Sequence, residues 1–143
     1  MKQILIVLIA VIFCQNVAAA EKVPPSSYLN RAYVGLSYDK ALRKNRPFLL
    51  IFASSKDVST ILKTVPLGKF IYNNFYHDFN FSILNTEKEA NAKLAKLFKV
   101  EKLPALFIVD TKRMTYVTIK QEHYNNEDLE TILNEFLVTR KYK

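Results

Sequence analysis

The stretch Lys99–Asp110, KVEKLPALFIVD, narrows the choice of fold more than any other. Its first residues close a helical pattern, Leu103-Pro104 interrupts it, and Ala105–Val109 is an unbroken apolar run. Proline has no N–H to give to a sheet ladder, so Pro104 belongs in the bend or at the first position of the strand. A short apolar run bounded in this way suits a strand buried on both faces, as in the centre of a helix-covered sheet.

The flanking chain alternates helical and strand patterns. Leu36–Asn45 reads as a helix, with Ser37 as cap, Asp39 in the first turn and a Tyr38/Ala41/Leu42 stripe. Phe48–Ala53, FLLIFA, reads as a central strand between Pro47 and Ser54-Ser55. A helix over residues 59–74 follows, broken or bent near Pro66. His77–Asn85 alternates, with Phe79, Phe81 and Ile83 on one side. Thr86 and Glu89 have capping-box spacing ahead of Ala90, Leu94, Leu97 and Phe98. After the Ala105–Val109 strand, Asp110–Arg113 reads as a turn and Met114–Lys120 as its hairpin partner. Asn125 or Asn126 caps a last helix with the stripe Leu129, Ile132, Leu133, Phe136 and Leu137. The order is αβαβαββα: an α/β domain over residues 34–143, with a mixed sheet of about four strands flanked by helices.

The N-terminus has the grammar of a secretory signal. Lys2 supplies a positive start, Ile4–Phe13 is apolar, and Val17–Ala20 supplies small residues, so residues 1–20 read as a signal peptide cleaved before Glu21. The apolar run is shorter than the roughly 20 residues a membrane span needs, so membrane contact is transient. Cys14 invites a lipoprotein reading, but bulky Phe13 precedes it. Residues 21–33, with two prolines and two serines, read as a flexible leader. The expected destination is the periplasm or the exterior.

Cys14 is the only cysteine of the 143 residues, so the exported form has no thiol chemistry. The net charge of +8 is spread along the chain, favouring acidic partners or a basic solvated surface. Nucleic acid is not expected, because the aromatics form no base-stacking motif. His77 and His123 stand apart, and with no cysteine beside them no metal site is expected. No cofactor motif is present.

The element order and the Val100-x-x-Leu103-Pro104 bend resemble the thioredoxin-like superfamily, over roughly Leu36 to Leu137. The resemblance implies a cis bond before Pro104, facing the loop after the central strand. There the redox members carry Cys-x-x-Cys at a helix start; here the matching positions are Asp57 and Thr60, or Val58 and Ile61 if the helix proline sets the register. The family's buried acid is also missing, since Leu49–Phe52 is apolar throughout, and the chain has no tryptophan.

The expected function is therefore not enzymatic: a redox-inactive, exported protein- or peptide-binding accessory, chaperone-like or a subunit of an envelope assembly. Its expected site is Lys56, Asp57, Leu103 and Pro104, where backbone groups can receive an extended strand from another exported or envelope protein. Two alternatives stand beside it. One is a glutathione-transferase-like thiol-ligand site using Thr60 or Ser59, against which simple N-capping by Asp57 or Ser59 must be set. The other is a passive structural domain held to acidic partners by its basic surface.

Overall fold

The computed structural model describes residues 20–25, 32 and 34–142. The expected signal peptide lies outside these apart from Ala20, as do residues 26–31 and 33 of the expected leader. Six strands form one mixed sheet: β1 (Glu21–Lys22), β2 (Val34–Gly35), β3 (Phe48–Ala53), β4 (Asn80–Asn85), β5 (Ala105–Asp110) and β6 (Thr115–Ile119). Among the described residues four α-helices accompany them: α1 (Tyr38–Leu42), α2 (Val58–Phe75), α3 (Glu89–Leu97) and α4 (Asn126–Thr139). A single 3-10 turn, Gln121–His123, precedes α4.

The strand order is β1-β6-β5-β3-β4-β2. β3 and β4 are parallel, joined through α2 as a crossover requires, and every other pair is antiparallel. The expected α/β mixed sheet is thus present, with six strands rather than about four. The two additional ones are edge strands of two residues each, too short to leave a period in the sequence.

The pleat of the central strands divides the core. Leu49 and Ile51 of β3 and Leu106 and Ile108 of β5 meet Ile71 and Phe75 of α2 and Leu133 and Phe136 of α4. Phe48, Leu50 and Phe52, with Phe107 and Val109, face the other way onto Tyr38 of α1 and Leu94 of α3. That second layer is aromatic: Phe98 stands 5.0 Å from Phe107 and 4.6 Å from Tyr116, centroid to centroid. Burial on both faces is why β3 and β5 read as continuous apolar runs.

Several local expectations are corrected. α1 is shorter than Leu36–Asn45, and the Ser37 hydroxyl donates to Asp39 Oδ1 at 2.9 Å instead of capping a backbone N–H. α2 runs unbroken through Pro66. The bond that proline removes has its acceptor at Leu62, which is exposed, so water can take the carbonyl. β4 is covered on both faces, with Ser82 and Leu84 fully buried opposite Phe81 and Ile83. The capping box does not form: Thr86 bonds to the Ala53 carbonyl, and α3 starts behind Lys88 without a side-chain cap.

Candidate functional site

β3 ends and β5 begins at the same end of the sheet. Their antiparallel register sets Phe52 opposite Ala105, so the next residue of each strand, Ala53 and Pro104, brings the Ser54–Asp57 loop beside the Leu103-Pro104 bend. The Leu103-Pro104 peptide bond is cis. Pro104 is buried and Leu103 is half-buried. Among the described residues no backbone group outside the regular ladders bonds to Leu103, whereas the Pro104 carbonyl accepts from Gln121 Nε2 at 3.1 Å. Two residues on, the Leu106 N–H donates to the Tyr124 hydroxyl at 2.7 Å. Burial pushes that phenol up to about 12. A cleft of about 390 Å³ opens here, with Pro104, Phe98, Val100, Tyr116 and Gln121 in its wall.

The loop after β3 is tied down by polar groups. Ser54 donates to Glu87 Oε1, and the Lys56 N–H donates to Ser54 Oγ at 3.3 Å. Asn85 spans the gap: its Oδ1 accepts from the Ser55 and Glu87 N–H groups, and its Nδ2 donates to Ser55 Oγ. Lys56 Nζ lies 3.8 Å from Glu87 Oε2, but the ammonium end is exposed and such a pair contributes little. A second, smaller cavity of about 180 Å³ sits behind this loop, walled by Ala53, Ile61, Val65, Ile83 and Leu84.

Asp57 caps α2. Its Oδ1 accepts from the Ser59 N–H at 3.0 Å and its Oδ2 from the Thr60 hydroxyl at 2.8 Å. The Thr60 hydroxyl above all, then the Thr60 and Ser59 N–H groups and the Lys63 charge, hold the Asp57 carboxyl below its ordinary range. Thr60 is only 2 % exposed. A ligand thiolate would need that hydroxyl as a donor, and it is already given to a carboxylate.

The structure places Lys56, Asp57 and Thr60 on one loop and helix start, at the end of the sheet where Leu103 and Pro104 lead into β5. Asn85, Glu87, Gln121 and Tyr124 complete the surroundings, and the sequence reading missed all four. Each is a polar residue with a partner 17 to 33 positions away, a relation no local period carries. Near the same bend, His123 Nδ1 is 3.0 Å from Asp128 Oδ2, a contact that, with Asn125, lowers the Asp128 carboxyl. Among the described residues no group of three or more His, Cys, Asp or Glu is placed to hold a metal ion. No described helix is long and apolar enough to cross a membrane.

No protein-family model matches the chain, and no curated protein matches it. Among solved structures it is similar to one described as the structure of a malarial protein, at 17 % identity and a TM-score of 0.49, covering 65 % of this chain and 99 % of the other.

Proposed function

We propose that the chain is a redox-inactive member of the thioredoxin-like superfamily that receives an extended segment of another exported protein along Leu103-Pro104. The observation that carries this reading is the pairing of an uncommitted Leu103 backbone with a loop that has no thiol. Leu103 lies just outside the β3–β5 ladder, so its N–H and C=O are available to a strand laid alongside. Asp57 and Thr60, at the positions of the missing thiols, are bonded to one another and serve to start α2. Recognition by strand addition needs backbone groups and side-chain pockets, and the cleft beside Pro104 supplies the second.

Site-specific photo-crosslinking tests the reading. A crosslinking residue is placed at Leu103, at Lys56, or at Val138, which is exposed on α4. Crosslinks to one partner from Leu103 and Lys56 but not from Val138, in cells exporting the protein, support the groove. Equal crosslinking at all three positions overturns it. If association instead rests on the spread basic charge, it weakens steeply as salt is raised, whereas a strand held by backbone bonds does not.

A further inference from the structure

Helix α2 has a second apolar stripe that stays largely exposed, although Val65 edges the smaller cavity and Tyr72 touches Phe81 at 5.8 Å between centroids. Thr60, Leu67, Ile71 and Phe75 point into the domain and are buried. On the opposite side, Val58, Leu62, Val65, Lys69, Tyr72 and Tyr76 recur at alternating steps of four and three residues. All six are exposed, and the five apolar or aromatic members retain between 47 and 69 % of their surface. Alternating steps of four and three are the spacing of the seam along which one helix packs on another. The seam runs the whole length of the helix and ends in a stacked Tyr72–Tyr76 pair, 5.7 Å between centroids, an aromatic anchor of the kind that dominates interface energetics.

Charge decides what fits it. No Asp or Glu occurs between Val58 and Phe75, while Lys69 stands in the seam and Lys63 on the same helix. A complementary surface is apolar along its centre and acidic at its edges. A second copy of this chain does not supply one. Its α2 would bring the same lysines, and the apolar stripe of its acidic helix α4 is already buried. A membrane surface fits less well, because a helix lying on lipid needs a broad apolar face, and this one is a strip with a lysine in its middle.

We propose that the outer face of α2 docks an amphipathic helix of a partner protein, with apolar residues at heptad spacing and carboxylates flanking them. The proposal rests on α2 alone and is independent of the Leu103-Pro104 groove.

The test uses the full chain and two synthetic helical peptides of about three heptads, each with leucine at the a and d positions. One peptide has glutamate at the flanking positions, the other lysine. Binding is followed by fluorescence anisotropy and by amide NMR shifts, and vesicles of phosphatidylcholine with phosphatidylglycerol are run in parallel. The expected result is that the glutamate peptide binds at least tenfold more tightly than the lysine peptide and shifts the amides of α2. The Leu62→Glu/Val65→Glu variant, whose circular dichroism checks its folding, loses that binding. Lys69→Glu weakens it at least fivefold, and Leu103→Ala leaves it unchanged. Equal affinity for both peptides, or binding that survives Leu62→Glu/Val65→Glu, overturns the proposal. So does vesicle binding that this variant loses while neither peptide binds.

Discussion

The Thr60 hydroxyl donates to Asp57 Oδ2 at 2.8 Å, so the residue that caps α2 and the buried hydroxyl in its first turn are bonded to each other. The bond gives the pair a capping role and uses up the polar atoms that a ligand would need. It also makes the helix start sensitive to acid. The folded-state Asp57 carboxyl titrates below its ordinary value of 3.8, so its contribution to stability is complete above that value and is lost as pH falls through the lower, folded one. Thr60→Val removes the hydroxyl while keeping the shape. We expect it to raise the Asp57 titration toward its ordinary value in a carboxyl NMR titration and to flatten the acid side of the melting curve. An unchanged titration would show that the bond does not hold the charge.

Tyr124 is one of several buried tyrosines that shape the alkaline side. Its phenol, pushed up to about 12 by burial, accepts the Leu106 N–H. A raised phenol stabilises the fold below the unfolded value of 10.0, and that contribution is lost as pH climbs toward about 12. Tyr124→Phe leaves the Leu106 N–H without its acceptor, at a cost of about 1–3 kcal/mol. Chemical denaturation at neutral pH measures the loss. Amide exchange at Leu106 is expected to accelerate, and the stability change between pH 10 and 12 to shrink.

Ser82 is fully buried in β4, and its Oγ has no hydrogen-bond partner. An unsatisfied buried hydroxyl costs free energy that alanine does not incur. Ser82→Ala is therefore expected to stabilise the protein by about 1 kcal/mol, read as a higher denaturant midpoint with an unchanged slope.

Gly35 has φ +86° in the short edge strand β2, and a Cβ there would collide with the Phe81 carbonyl oxygen. Gly35→Ala must therefore move the strand off β4, losing the Leu36 N–H to Phe81 carbonyl bond as well. The expected result is faster exchange at Leu36 and destabilisation of about 1–3 kcal/mol, with the central strands protected as before.

The parts of the fold legible in the sequence are those where burial acts on many neighbouring residues at once. β3, β5 and the α4 stripe of Leu129, Ile132, Leu133, Phe136 and Leu137 are such parts, and all five of those α4 residues are buried. Asp57 as the cap of α2 was also readable, because a cap is a local device. The edge strands were not, since Glu21–Lys22 and Val34–Gly35 are exposed pairs too short to carry a period. Thr86 shows how a local motif misleads: its hydroxyl goes to the Ala53 carbonyl across the sheet, a choice made by the β3–β4 pairing. Asn85, Glu87 and Gln121 belong to the candidate site for the same reason, through neighbours set by topology.

The sheet's two outermost strands both come from the beginning of the domain: β1 lies on one rim against β6 and β2 on the other against β4. Tyr116 reinforces the first, donating its phenolic proton to Glu21 at 2.8 Å across 95 residues. Trimming the chain through Gly35 therefore uncovers both flanks of the sheet in one cut, leaving β6 and β4 as bare templates for intermolecular pairing. Edge strands as short as β1 and β2 offer little template of their own, so both rims of the sheet are blunted by the same stretch of sequence.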